Sequence, residues 1–182
     1  MSTSVTKLPT LQELYSNVES AQKEDAFLVL MNKEPAQSWV KIHPFVQNYK
    51  YLPIDKIEFL LKKIFKNYKI EVLKTGLLFN AIEVSVRVWY LHPITQEWGF
   101  YDGVGACELQ TQKGTGSLKH DMSNVNKGAV TMALPIAKTI AIKDACDHFG
   151  RLFGSDLNRK DIIEFVADEK LHNIELIKKQ IS

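Results

Sequence analysis

The sequence predicts an α+β fold in which an antiparallel β-sheet packs on a long central helix, with flanking helices. Two observations carry this prediction. Residues 79–91 alternate apolar and polar side chains and are followed by a second extended segment, and alanine recurs every fourth residue within 126–152. A period of two is typical of a strand with one buried face, and a period near four is typical of a helix. A length of 182 residues favours a single domain.

Two helices are predicted ahead of the strands. Residues 10–24 have the pattern of a polar amphipathic helix that follows Pro9. Residues 53–67 form the second, with Pro53 in the first turn, where proline is well tolerated. Its apolar residues recur at helical spacing and leave the lysines on the outside.

A β-hairpin is predicted next. Its first strand covers residues 79–91, its connection residues 92–97 and its second strand residues 98–111. Gly99, Gly103 and Gly105 share one face of the second strand, and because glycine normally weakens a strand, another element is expected to approach there closely. The alanine ridge of the helix at 126–152 is the natural neighbour. A loop at 112–124 separates the two, and a final helix at 159–180 closes the chain.

The long helix is expected to bury different faces along its length. Its first half leaves Lys127, Thr131 and Lys138 on the polar side, whereas its second half leaves Asp144 and Arg151 on another side. We hypothesise that one half packs within its own subunit and the other half against a neighbour. A curved sheet within one subunit would produce the same pattern.

Composition excludes several classes of protein. Hydrophobic residues make up 45% and charged residues 24% of the chain, as in ordinary globular domains. The longest apolar run, residues 26–31, is far below the ~20 residues that span a bilayer, and no secretory signal is visible. The two cysteines form no CxxC motif, which favours a reducing compartment. We therefore expect a cytoplasmic protein, neither membrane-bound, secreted nor disordered.

The distribution of charge favours a polyanionic partner. The whole chain carries a net charge of +2, but residues 33–74 contain nine lysines and four acids. Lysines and arginines can follow a phosphodiester backbone, and aromatic rings can stack on bases. Aromatic residues interleave with the basic ones, namely Trp39, Tyr49, Tyr51 and Trp89. The alternatives are a solvated lysine-rich surface, aromatics that belong to a core or interface, and a simple pair between Lys143 and Asp147.

Catalytic motifs are weak or absent. Residues 113–119 have the composition of a P-loop in the wrong order, so an ATPase is not expected. The five histidines lack the spacing of a zinc site, and neither cysteine has an evident base partner. A metal-dependent nuclease that uses Asp102 and Glu108 is the main enzymatic alternative, although no lysine stands two residues after either acid. A non-catalytic interaction module is the other alternative. The sequence predicts no cofactor and no enzyme.

Three segments resemble one protein family in their order and spacing. They are residues 50–65, which begin Lys-Tyr-Leu-Pro-Ile-Asp, the hairpin that ends at 101–105 as Tyr-Asp-Gly-Val-Gly, and residues 137–154, in which a helix runs into Phe-Gly. This pattern resembles the Rad fifty-two/twenty-two single-strand annealing proteins of phages and prophages. The resemblance gives an N-terminal helical segment at 1–36, an annealing-protein core at 37–161 and a C-terminal helix at 162–182.

The resemblance implies a β-β-β-α core that assembles into rings or helical filaments and anneals single-stranded DNA without ATP in homologous recombination and repair. Carried over by position, Lys143, Lys41 and Arg87 match basic residues of the family's DNA groove, and Lys127 lies near an outer basic position. Asp144 and Asp147 replace basic residues of eukaryotic members, so we add Lys138 and Arg151 as candidate DNA contacts. The implied partners are single-stranded DNA, the annealed duplex, further copies of the chain, and a single-strand-binding protein or exonuclease in a bacterial cytoplasm.

Overall fold

A computed structural model describes residues 18–44, 46–113, 122–162 and 165–173. The chain forms two compact units, where its length alone favoured one domain. One combines the residues up to 33 with those from 161 onward, and the other covers residues 34–160. The helices are α1 (Val18–Met31), α2 (Ile54–Ile64), α3 (Ala129–Asp147) and α4 (Glu169–His172), and the strands are β1 (Lys41–Ile42), β2 (Lys50–Tyr51), β3 (Tyr68–Leu78), β4 (Ala81–Leu91) and β5 (Trp98–Glu108).

The smaller unit pairs α1 with α4 through a buried carboxylate. Asp25 is 9% exposed. One of its oxygens lies 3.1 Å from the backbone nitrogen of Asp168, which donates to it, and 2.8 Å from Nε2 of His172. Because buried polar groups are costly unless they are hydrogen-bonded, these contacts fix the segment that leads into α4.

The predicted C-terminal helix is wrong for most of the described residues and is confirmed only at Glu169–His172. Residues 159–162 and 165–168 are not helical, and only Glu169–His172 forms a short helix. The physical reason lies in the smaller unit, because the Asp168 N–H donates to Asp25 instead of to a carbonyl one turn earlier. The remaining predicted positions of this helix, 163–164 and 174–180, lie outside the described residues.

The larger unit confirms the predicted α+β architecture. Strands β3, β4 and β5 form an antiparallel sheet in that order, and α3 packs on β4 and β5. Val84, Val86 and Val88 of β4 are almost fully buried. The order β3, β4, β5 and α3 along the chain agrees with the β-β-β-α core that the resemblance implies. Of these strands, β3 is the one that the residue pattern alone did not reveal.

Two of the three glycines of β5, Gly103 and Gly105, face the alanine ridge of α3 as predicted, whereas the third, Gly99, faces the ring of Tyr90. A Cβ added at Gly103 would overlap the carbonyl oxygen of Ala141 and the nitrogen of Ala145, and one at Gly105 would overlap the backbone of the preceding turn. The alanines at 129, 133, 137, 141 and 145 are all buried. Small residues on both elements therefore let helix and sheet approach until backbone meets backbone.

The other predicted elements differ from the structure mainly at their ends. Helix α1 extends to Met31, beyond the predicted end at 24, and residues 10–17 lie outside the described residues. Strand β5 ends at Glu108 instead of 111, because Thr111 instead pairs with Val125 in an isolated bridge. Helix α3 starts after Gly128, whose φ of +82° breaks the helix, and continues through Pro135. Most of the predicted loop, residues 114–121, is outside the described residues.

Candidate nucleic-acid interface

A cavity of about 670 Å³ opens between the hairpin of β1 and β2 and residues 135–147 of α3. Such a volume is within the range of ordinary ligand sites. The hairpin contributes one wall and the helix the other, through the lining residues His43, Pro44, Tyr49, Tyr51, Pro135, Ile136, Thr139, Ile140, Lys143, Asp144 and Asp147.

Asn158 fixes the position of the hairpin. Its side-chain amide donates to the carbonyl of Lys50 at 2.8 Å, while its oxygen accepts the N–H of Lys50 at 2.8 Å. Across the hairpin, the N–H of His43 donates to the carbonyl of Tyr49 at 2.7 Å. The asparagine thus replaces a neighbouring strand at the edge of β2, and the two-residue strands stay in register.

Two of the predicted basic residues are neighbours of Tyr51, one over its ring and one across the hairpin. Nζ of Lys143 lies 4.6 Å from the centroid of the Tyr51 ring, a cation–π distance. Lys41 is paired directly with Tyr51 across the hairpin and is exposed. Burial lowers the pKa of Lys143, and the nearby Asp147 carboxylate opposes that change.

Two acids on α3 share the cavity with Lys143. Asp144 accepts a hydrogen bond of 2.9 Å from the backbone N–H of Val104 and so ties the helix to β5. Asp147 remains accessible to water, but the protein around it removes enough hydration, with help from the charge of Asp144, to raise its pKa to about 6. Lys143 and Arg159 oppose that increase. Near neutral pH, acids therefore outnumber the single lysine among the lining residues.

Arg87 lies on the other face of the sheet. It projects on the side opposite Val86 and Val88, away from α3, and its guanidinium donates to both oxygens of Asp102 at 2.6 and 2.7 Å. The same group lies 3.9 Å from the centroid of the Phe100 ring. Arg87 and Lys143 therefore do not share one site, and Asp102, the proposed metal ligand of a nuclease, is held by an arginine.

The three remaining predicted contacts are also dispersed. Arg151 is 13% exposed and forms an ion pair of 2.7 Å with Glu34. Lys127 and Lys138 are exposed and form no ion pair within the described part of the chain. Five residues along a helix correspond to a rotation of about 140°, so Lys138 lies on a different flank of α3 from Lys143.

Sequence reasoning missed three residues of this region, namely His43, Asn158 and Arg159. His43 is in ring contact with both tyrosines, at centroid distances of 6.3 Å to Tyr49 and 6.0 Å to Tyr51. The sequence feature that could have identified His43 is a two-residue spacing, which separates Lys41 from His43 and Tyr49 from Tyr51. In a hairpin this spacing places all four side chains on one face. No local pattern identifies Asn158, because its partner Lys50 is 108 residues away.

The chain matches no family model, and no curated protein is significantly similar to it in sequence. Among the described residues, no three His, Cys, Asp or Glu side chains are placed to bind one metal ion. The helices of the described ranges include none that is both long and apolar enough to cross a membrane.

Proposed function

We propose that this protein binds single-stranded DNA without sequence preference and anneals complementary strands without ATP, as an oligomer. The observation that supports this function best is Lys143 over the ring of Tyr51 at an open cavity, with Lys41 as the cross-strand partner of that tyrosine. A cation for a phosphate beside aromatic surface for a base is the combination that single-strand-binding sites use. The family resemblance in the sequence leads to the same function.

One such cavity binds DNA weakly, so the function requires many of them in a row. Each neutralised phosphate releases condensed counterions, and the gains from neighbouring subunits on one strand add up. A strand that is held extended by several subunits has already lost the conformational freedom that pairing would remove. Finding its complement then costs less entropy.

Exposed apolar residues on α3 support self-association. Met132 is 64% exposed, and Val130 and Leu134 of the same helix, which do not line the cavity, are at least 40% exposed. A helix that is apolar on most sides is normally buried. The buried ridge of alanines covers one side of α3, and a second copy would cover another side of its first half.

The test is an annealing assay with two complementary oligonucleotides that carry a donor and an acceptor dye. The reaction contains EDTA and no nucleotide, so that neither cleavage nor ATP hydrolysis contributes to the signal. We expect the protein to accelerate annealing well above the spontaneous rate and to sediment as an oligomer with DNA. An unchanged rate at all protein concentrations and at low salt would refute the function. A repeat with Mg²⁺ would then test for cleavage of the same oligonucleotides.

A further inference from the structure

Four aromatic residues are interleaved with the basic residues of the sequence, and three of them are engaged within the protein. Nζ of Lys56 lies 5.7 Å from the centroid of the Trp39 ring, and Phe59 meets that ring edge-on. Trp89 donates its indole N–H to Glu71 at 3.0 Å. Tyr51 is half-buried and carries Lys143 over its ring.

Tyr49 is the fourth, and its ring is open to solvent within the cavity. The residue is 48% exposed. Among the described residues, its only ring contact is with the edge of His43, at an interplanar angle of 79°. Its backbone is fixed on both sides, because its N–H donates to Val46 at 3.2 Å and its carbonyl accepts from His43 at 2.7 Å. The ring is therefore exposed on a backbone that is already ordered, which lowers the entropic cost of binding to it.

The opposing charges of the cavity leave little net attraction for DNA, so binding there needs a contact that does not depend on charge. Asp144 and Asp147 line the cavity together with Lys143, so the attraction for a phosphate is partly cancelled. Stacking of a base on an aromatic ring is insensitive to the sign of the local charge and tolerates every base. It is also the one contact in this cavity that a duplex cannot make, because its bases are already stacked and paired.

We infer that Tyr49 is a stacking platform for an unpaired nucleobase, next to a phosphate that is bound by Lys143. This inference rests on the proposed function and names the part of the DNA that the cavity recognises. Tyr49 thereby determines the preference for single strands over duplex, and Lys143 and Lys41 contribute the affinity for the backbone.

The experiment compares two probes, a dye-labelled oligothymidylate and an abasic oligonucleotide of the same length and charge. Binding is measured by fluorescence anisotropy for the unaltered protein and for Tyr49→Ala, Tyr49→Phe and Trp98→Ala. Trp98 is a matched control, since it is 58% exposed and lies on the sheet face away from α3. Circular dichroism establishes that each variant is folded.

We expect the unaltered protein to bind oligothymidylate between about 5-fold and 150-fold more tightly than the abasic probe, the range given by one stacked base. Tyr49→Ala should remove most of that preference and leave the affinity for the abasic probe unchanged. Tyr49→Phe and Trp98→Ala should retain the preference.

Two results would overturn the inference while the proposed function stands. One is equal affinity of the unaltered protein for both probes, and the other is an equal loss on both probes in Tyr49→Ala. In either case the protein would still bind single strands, through their phosphates alone. Failure to bind either probe at low salt would overturn the inference and the proposed function together.

Discussion

The outer face of the sheet and the cavity beside α3 both place a cation against an aromatic ring. On the outer face, Arg87 lies over Phe100, and Asp102 binds both of its donor groups. In the cavity, Lys143 lies over Tyr51, and no carboxylate within the described residues is in ion-pair distance of it. The outer cation is therefore already paired, whereas the cavity cation can bind an external anion.

This difference shows why residue type and strand position do not identify a binding site by themselves. Arg87 and Lys143 were equally good candidates in the sequence. A bidentate arginine–carboxylate pair satisfies the guanidinium within the protein, and a phosphate would have to displace Asp102 to reach it. The five predictions below test the contrast between the two faces, in order of decreasing expected effect.

The largest effect is expected on stability, when one glycine on each face of the sheet is replaced by alanine. Gly103→Ala places a Cβ against the backbone of α3, whereas Gly76, on the outer face, has no atom within 4 Å of the added Cβ. We expect Gly103→Ala to lower the free energy of unfolding by about 3 kcal/mol, the upper part of the usual range for overpacking. Gly76→Ala should change it little. Urea denaturation of both variants measures this, and equal stability would contradict the backbone contact between α3 and β5.

The second prediction compares two lysines on one helix. Lys143→Ala should weaken binding of oligothymidylate roughly 10-fold and reduce the salt slope by about one, because one phosphate contact is lost. Lys138→Ala removes the same charge from another flank of α3 and should have a smaller effect. Anisotropy titrations across a salt series measure both. If Lys138→Ala has the larger effect, DNA follows a different path along the helix.

The third prediction concerns the pH dependence of binding. Burial and Asp144 raise the pKa of Asp147 to about 6, so this carboxyl becomes neutral as the pH falls through that value. Its repulsion of a phosphate is then lost, and we expect binding of oligothymidylate to strengthen about 3-fold between about pH 7 and pH 5. Asp147→Asn should bind with the higher affinity throughout.

Two histidines near Asp147 could produce part of the same pH dependence. His43 lines the cavity and His148 adjoins Asp147 on α3. His43→Gln and His148→Gln serve as controls, each of which should retain most of the change in affinity. A pH dependence that survives in Asp147→Asn would assign it to the histidines.

The same carboxyl links pH to stability. Because the pKa of Asp147 is raised in the folded protein, the stability that it contributes is fully present below its ordinary pKa and is lost as the pH rises through about 6. Asp147→Asn should therefore melt at a higher temperature than the unaltered protein at neutral pH. This difference in melting temperature should become smaller at acidic pH. Thermal melts of both proteins at a series of pH values measure it.

The smallest effect is expected from Arg87. Since Asp102 already occupies its donors, Arg87→Ala should change the affinity for oligothymidylate by less than about 2-fold, as for other exposed ion pairs that leave the binding site untouched. The same titrations measure it. A loss comparable to that of Lys143→Ala would place DNA on the outer face and reverse the comparison.

Much of the fold could be predicted from local pattern. Strand β4 follows from alternation and β5 from its place in the hairpin, and the close packing of β5 on α3 follows from Gly103 and Gly105 opposite an alanine ridge. Strand β3 was not recognised because its alternation is broken. The pairing with β4 shifts register between Val72 and Lys74, so the apolar residues change parity halfway along the strand.

The site was harder to predict than the fold because its contacts are distant in sequence. Tyr51 is brought to Lys143 by a hairpin with two-residue strands, which are too short to show a period. Arg151 is paired with Glu34, 117 residues away, and Asp25 holds Asp168 across 143 residues. Such long-range pairs determine which charged side chains remain available to bind a ligand. The periodicity of the sequence does not indicate them.

Photo-crosslinking to a single strand tests most directly whether DNA binds the cavity rather than the outer face. Oligodeoxynucleotides with 5-bromodeoxyuridine are irradiated with the protein, and the modified peptides are identified by mass spectrometry. We predict crosslinks at Tyr49 and Tyr51 that disappear in Lys143→Ala and persist in Arg87→Ala. Crosslinks confined to Trp89, Trp98 and Phe100 would contradict the account, because they would place the strand on the face where Arg87 is already paired with Asp102.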